Sequence, residues 1–430
     1  MSLSRRLLLG AAMAGLAAPA LAQTAPRLRV GAVLPLGGPD LPLAPANLGR
    51  PARAALDGLT LSAEDAAQNA GLFGGGVDLL VANAPTAEAA RRAAARLIAH
   101  DRVSVLVGGF TAEDALALSE TAAATGTLFL NIAAPQDALR RICDPLTFHV
   151  EASAAMYLDA LAGWFVRAGH RRWMVVHSDD ADGQALMARL DSRLGGAHWG
   201  ARLAGAVAVD PAARDLRAAA REMARTDADM VLLLTDWMTQ LDLLAAAESV
   251  GTPLPVTGFP WAAAQTRWFY GASRQAAPEA GRSYRATLWE PTLDSYGARE
   301  LNARFAARWG RPMDAPAWAG YQAVKIATEA NLRTSSLSGR DLAAWLSDPA
   351  TVFDLHKGIG ASFRPWDRQL RQSLYLVQIA AAAEGGSELE RLEARAALTG
   401  ELPAIYMPGT DPVQRLDQIG DMARDMPRCG

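Results

Sequence analysis

At 430 residues, 50% of them hydrophobic and 20% charged, the chain is long enough for two domains with substantial cores. Its 42 basic and 45 acidic residues leave a net charge of −3, which gives no reason to expect a nucleic-acid partner or an anionic membrane surface. Two cysteines, Cys143 and Cys429, are too few for a disulfide scaffold and enough for one staple.

The N-terminus reads as an export signal rather than as part of the fold. Arg5-Arg6 opens it, an apolar stretch runs to Pro19, and Ala20-Leu21-Ala22 supplies a small-x-small cleavage pattern, so residues 1–22 are expected to be removed. That stretch is too short to span a bilayer well, and no later segment approaches transmembrane length. The paired arginines point to twin-arginine export of a folded chain, with the general secretory route as the alternative. No cysteine follows the cleavage site to carry a lipid anchor.

Arg27 to Leu34 reads as a strand, followed by a loop rich in Pro, Leu and Gly up to Gly49. Pro51 to Ala70 is a long alanine-rich helix, and Gly74-Gly75-Gly76 breaks the chain before a strand at Val77 to Ala82. Thr86 caps the next helix, which runs to His100. A strand at Val103 to Val107 then leads through Gly108-Gly109 to Thr111 and Asp114, the spacing of a capped helix start. Gly126 stops that helix, and Leu128 to Ile132 is a further buried strand. Two strand ends, Gly108 to Thr111 and Asn131 to Pro135, therefore fall within one short stretch. Ligands of open parallel sheets bind beyond such ends, so this stretch is expected to form one wall of a cleft.

After a crossing at Arg140 to Pro145, a second series begins with a short strand near Phe148 and a helix from Ser153 to Arg167. Strands at Trp173–His177, Leu203–Val207, Met230–Leu234 and Val256–Gly258 alternate with helices at Asp182–Leu194, Pro211–Arg225 and Met238–Val250, closing on a Pro260-Trp261 turn. The pattern is α/β, with two Rossmann-like halves in succession. Tyr284 to Trp289 and helices at Tyr296–Trp309, Ala315–Leu332 and Gly339–Leu346 look like a return to the first half. Phe363 and Gln372 to Ile379 read as a hairpin back in the second, and a loose extension is expected beyond Ala380.

Signals for chemistry are weak. The six histidines show neither HxxxH nor HExxH spacing, so no metal site is expected. No G-x-S-x-G elbow occurs, and the Gly74-Gly75-Gly76 run precedes a strand rather than a helix, so it is no phosphate cradle. His177, Ser178 and Asp179 are consecutive on a strand end and point to opposite faces, which rules out a catalytic triad. No enzyme activity, catalytic residue or cofactor is expected.

The segments GLTLSAEDAAQNAGLFGGGVDLLVANAPTAEAARRAAARLI, VSVLVGGFTAEDA, RRWMVVHSDDADGQALMARL, DADMVLLLTDWMTQLDLLAAAESVG, PAWAGYQAVKIATEA and ASFRPWDRQL resemble, in this order, the type I periplasmic binding proteins. The resemblance is to the leucine/isoleucine/valine-binding branch that serves ABC importers, and it covers roughly Arg27 to Ile379. LRRICDPLTFHVEAS around Cys143 further resembles a subgroup associated with PQQ-dependent alcohol oxidation. The resemblance implies two lobes joined by three crossing segments, with 23–147 and 283–350 in the N-terminal lobe, 148–282 and 351–380 in the C-terminal lobe, and 381–430 as an extension. It implies a monomer in the periplasm that closes on a small molecule and meets ABC permease subunits. A ligand-sensing receptor without a transport role is the alternative.

Carried over position by position, the resemblance nominates Phe110 and Thr111 after the third strand, and Ala133, Ala134 and Pro135 after the fourth, where only backbone groups are left. It nominates Asp182 beside the second-lobe strand end, Trp237 as a ring, and Pro260 and Trp261 where relatives hold a ligand ammonium with a carboxylate. Asp182 reads first as a helix N-cap, and Trp237 and Trp261 read either as an apolar ligand lining or as interlobe packing. A zwitterion needs its ammonium paired, and an unpaired buried charge costs several kcal/mol. The expected ligand is thus largely apolar or aromatic and not a free α-amino acid, unless Asp182 leaves the cap and faces the cleft. The two exported cysteines, Cys143 and Cys429, are expected to pair.

Overall fold

The computed structural model describes residues 26–37, 48–196, 200–213, 215–252, 254–358, 361–381, 383–403 and 411–420. The expected signal segment and Cys429, hence one end of the expected disulfide, lie outside the described residues. No helix among the described residues is long and apolar enough to cross a membrane.

The first lobe begins with β1 (Leu28–Leu34), α1 (Gly49–Phe73), β2 (Val77–Asn83), α2 (Ala87–Ala99), β3 (Val105–Gly108), α3 (Ala112–Thr125), β4 (Leu128–Asn131), the single turn α4 (Asp137–Arg140) and β5 (Thr147–His149). These strands form a parallel sheet in the order β2-β1-β3-β4-β5. Helices cover both faces of such a sheet, so β3 and β4 are buried throughout and are apolar up to Asn131, which ends β4. Thr86 and Thr111 cap α2 and α3 by accepting from the N–H groups of Ala89 and Asp114, and Gly126 ends α3 in the left-handed region. The strand near Phe148, expected to open the second half, instead pairs with β4 through Phe129–Thr147 and Leu130–Phe148 and closes the first sheet. Three residues are too short to signal which neighbour they join.

The second lobe runs through α5 (Ala154–Arg167), β6 (Arg172–Ser178), α6 (Ala181–Leu194), β7 (Arg202–Val209), α7 (Arg217–Arg225), β8 (Met230–Leu234), α8 (Trp237–Val250) and β9 (Val256–Gly258). Its sheet is parallel, in the order β7-β6-β8-β9. The sequence pattern stops at the Pro260-Trp261 turn, whereas the structure adds α9 (Arg267–Ala276), capped by Thr266. Next comes β10 (Tyr284–Thr287), and the Thr257 hydroxyl donates to its Tyr284 carbonyl at 2.6 Å, so this strand lies beside β9 rather than returning to the first lobe.

What does return is α10 (Ala298–Trp309), α11 (Ala315–Thr334) and α12 (Gly339–Ser347). Helix α11 packs directly on α1: Gly320 lets it approach so closely that any Cβ there would collide with the Ala55 carbonyl. Arg304 and the Tyr321 hydroxyl both bond Asp65 of α1, at 2.5 and 2.8 Å.

The remaining strands correct two expectations. β11 (Leu374–Ile379) pairs not with Phe363, which bridges only Leu370, but antiparallel with β10 on one edge and with β12 (Ala396–Leu402) on the other. The extension expected to be loose is ordered where it is described. It holds α13 (Glu388–Glu393), opened by a Ser387–Glu390 capping box, then β12, then α14 (Pro412–Leu416). Low aromatic content hid this segment, because its order comes from an existing strand edge rather than from a core of its own.

Candidate functional site

The two parallel sheets face each other with their carboxyl ends, and the turns leaving β3, β4, β6, β8 and β9 line one cleft. Local chemistry shapes each turn. Gly109 has φ of 83°, and a Cβ there would lie 2.9 Å from Asn131 Oδ1, so only glycine lets the chain pass from β3 to the Thr111 cap. The fully buried Asn131, at the end of β4, accepts from the N–H groups of Ala133 and Ala134 at 3.3 and 3.1 Å and donates to the Ala134 carbonyl at 2.8 Å. Arg140, also fully buried, donates to the carbonyls of Ala134, Gln136 and Glu151 and to Gln369 Oε1. The turn 133–136 is thereby anchored to the crossing segments.

The cleft has two chambers. The inner one, about 210 Å³, lies between Phe110, Thr111 and Ala133 of the first lobe and Ser178, Trp237 and Trp261 of the second. The outer one, about 500 Å³, lies between Pro135, Asp137 and Arg141 on one side and Leu186, Arg189 and Phe259 on the other. Gln136, Asp182 and Trp261 line both. At the boundary Gln136 Nε2 donates to Asp182 Oδ2 at 3.0 Å, so one hydrogen bond crosses between the lobes.

Of the nine nominated residues, seven line the cleft: Phe110, Thr111, Ala133, Pro135, Asp182, Trp237 and Trp261. Ala134 and Pro260 do not. Ala134 is fully buried with its N–H and carbonyl already bonded, and the Pro260 carbonyl accepts from Gln265 at 2.6 Å. The N–H groups of Ala133 and Ala134 and the carbonyls of Ala134 and Pro135 are therefore occupied. Trp261 donates its indole N–H to the Thr235 carbonyl at 2.7 Å and tilts against Phe259 at 4.6 Å, while Trp237 sits edge-on to Trp268 at 5.3 Å. Both indoles are thus held in place with a face or edge at the chamber.

Asp182 departs from its first reading. Asp180, not Asp182, caps α6, accepting from Gly183 N–H at 2.7 Å. Asp182 lies in the first turn and faces the cleft. Burial pushes its carboxyl above the usual range, the Gln136 bond pulls it back, and nearby Asp180 and Glu113 push it up again. With three aspartates at 179, 180 and 182, cap preference alone does not select the right one. The argument that the cleft holds no carboxylate for an ammonium accordingly fails. Gln136 and Ser178 were not anticipated. The only trace of either in the sequence is a small or polar residue at a strand-end turn. Among the described residues no group of three or more His, Cys, Asp or Glu side chains is placed to hold a metal ion.

A family model described as periplasmic binding protein matches residues 27–386. None of the curated proteins matches the chain. Among solved structures, an ABC transporter substrate-binding protein from Sphaerobacter thermophilus is 21% identical with a TM-score of 0.73, covering 88% of this chain and 98% of its own. An R. palustris ABC transporter solute binding protein in complex with benzoate has a TM-score of 0.69 at 17% identity, covering 89% and 98%. A branched-chain amino acid transporter substrate binding protein from Streptococcus pneumoniae, in complex with isoleucine, has a TM-score of 0.68 at 14% identity, covering 82% and 96%.

Proposed function

The chain belongs to the periplasmic binding protein family, and we propose that it captures a small, largely apolar or aromatic solute between its lobes and delivers it to an ABC importer. Membership makes it a solute-binding protein of the periplasm rather than a catalyst. The identity of the solute is a matter for the site, because this fold carries benzoate in one relative and isoleucine in another.

One observation carries the reading. Phe110, Trp237 and Trp261, drawn from both lobes, wall a chamber of about 210 Å³ at the strand ends. A dry apolar cavity of roughly 150 Å³ is enough for a benzene ring, so one ring with a short polar arm fits this size. Thr111, Gln136 and Ser178 offer that arm hydrogen bonds, in a proportion of apolar wall to polar points usual for small-molecule sites. The reading includes hinge closure about the crossing segments, removal of residues 1–22 on export, action as a monomer, and a Cys143–Cys429 bridge. The bridge is supported by the lack of any free cysteine among the described residues.

The test is calorimetry of the exported protein against small aromatic and aliphatic alcohols, amines and acids, alongside leucine, isoleucine and valine. Micromolar binding of an aromatic solute, with no comparable binding of the three amino acids, is the expected result. Micromolar leucine binding with silence across the aromatic panel would overturn it.

A further inference from the structure

The inner chamber is one-sided in charge. Glu113, Asp180, Asp182 and Asp236 line it, and among the described residues no lysine or arginine does. Two of these carboxylates have structural work: Asp180 caps α6 and Asp236 caps α8, each facing the positive end of its own helix. Asp182 caps nothing. Its carboxylate accepts a hydrogen bond from Gln136 Nε2.

That hydrogen bond fixes the Gln136 carboxamide, because a carboxylate accepts and does not donate. The oxygen is therefore the free end of the amide. Gln136 Oε1 is buried and has no hydrogen-bond partner among the described residues. A second polar group stands nearby: Ser178, only 2% exposed, lines the chamber, and its hydroxyl has no hydrogen bond among the described residues. A buried acceptor left without a donor is unfavourable, and a donor placed beside Asp182 would satisfy it. Three aromatic walls complete the surroundings, and a cation over such faces gains further.

Resting on the function proposed above, we propose that the inner chamber selects its solute by a protonated amine, held by Asp182, Gln136 Oε1 and Ser178, on an aromatic or apolar body without a carboxylate. A solute carboxylate would enter a chamber already lined by four carboxyl groups and no cationic side chain. Such like-charge placement is a standard means of rejecting a wrong partner.

The probes are four compounds of similar size: 2-phenylethylamine, 2-phenylethanol, 3-phenylpropionate and phenylalanine, titrated calorimetrically into the exported full chain. The amine is expected to bind at least tenfold tighter than each of the others. Asp182→Asn is expected to remove that advantage, leaving the alcohol within threefold of wild type. Thermal unfolding of the variant reports whether its fold is intact. Gln136→Leu deletes the unpartnered oxygen and the Nε2 bond to Asp182 while keeping the carboxylate, and is expected to weaken the amine more than the alcohol. Tighter binding of 3-phenylpropionate or phenylalanine, or an amine affinity unchanged in both variants, would overturn the inference. If the alcohol binds as well as the amine, the amine assignment fails while the apolar-solute reading stands. If no apolar or aromatic compound binds at all, both fail.

Discussion

Gln136 and Asp182 meet at 3.0 Å across the cleft, joining the turn after β4 to the first turn of α6. Each is placed from behind. Arg140 holds the Gln136 carbonyl, and the Asp180 cap fixes the start of the helix that carries Asp182. The contact is therefore a latch between two rigid walls, and it divides the cleft into its two chambers. Removing it by Gln136→Ala should widen the distribution of lobe angles in the free protein. Small-angle scattering is expected to give the free variant a larger radius of gyration than wild type, and saturation with a bound solute should bring the two together. Identical curves for both proteins, free and saturated, would mean that the lobes form a rigid scaffold.

Trp261 lines both chambers, and its indole is pinned to the Thr235 carbonyl. Trp261→Ala should weaken solute binding by roughly 1.5–3 kcal/mol, the scale of losing one large buried apolar contact. Because the residue lies at the cleft and not in the sheet cores, thermal stability of the free protein should change far less. Calorimetry and thermal unfolding of the same preparation separate the two effects. A large stability loss with unchanged affinity would make Trp261 an interlobe packing residue instead.

The two walls differ in how much of them the sequence discloses. Thr111 and Asp114 announce the α3 cap by their spacing, and Gly109 marks the turn before it, so the β3 end is readable from local chemistry. Gln136 is not, because its role exists only once Arg140 and Asp182, four and 46 residues away, are brought beside it. Asp180 and Asp182 are chemically the same cap, and only a contact from the other lobe tells them apart. The pairing of β11 with β10 and β12 was hidden for the same reason. β10 lies far upstream, and its Tyr284–Thr287 carries no mark of the strand it will join, while β12 sits in the segment of low aromatic content.

Glu151, in the first crossing segment, is fully enclosed and accepts from the Tyr157 hydroxyl at 2.7 Å. Burial pushes its carboxyl up to about 7, against the pull of Tyr157, Arg140 and Lys357. Between the ordinary glutamate range and about 7, the folded chain holds a proton that the unfolded chain releases. Its contribution to stability is present at acid pH and lost as pH rises through 7, at no more than about 1.4 kcal/mol per pH unit. Urea unfolding from pH 5 to 8 should show this decline, and Glu151→Gln should flatten it. A variant that declines as steeply as wild type would place the titration elsewhere, for instance at Asp314, whose carboxyl burial also pushes up to about 6.

Thiol labelling tests the cysteine pairing. Cys143 lies in the loop after α4, with φ of 55°. A bridge from there to Cys429 closes a loop of nearly 300 residues, for which the chain-entropy estimate is on the order of 5–6 kcal/mol. Unreduced, denatured protein should contain no reactive thiol, and reduction should lower the unfolding midpoint. Two reactive thiols per chain before reduction would dismiss the bridge.

The C-terminal segment is expected to be part of the fold rather than an appendage. β12 covers an edge of β11 from Leu402 to Ala396, where the buried Val377 and Ile379 would otherwise face water. More telling is Arg364, which is fully buried. Its guanidinium donates to Asp417 at 3.0 Å and to the carbonyls of Gly420, Leu416 and Ile419 at 2.9, 3.0 and 2.7 Å. Asp367 stands 3.8 Å away and would be left as the nearest anion if that segment were removed. Stripping the partners from a buried charge costs about 3–5 kcal/mol, before the exposed strand edge is counted. A chain ending at Ala380 should thus fail to fold or unfold far below the full-length protein. Since a truncation can fail for trivial reasons, Arg364→Ala in the full chain is the cleaner measurement. It leaves β12 in place, orphans the carbonyls of the 416–420 turn, and should lower stability by about 3–5 kcal/mol in chemical unfolding. A loss within about 0.5 kcal/mol would show that the segment only decorates the second lobe.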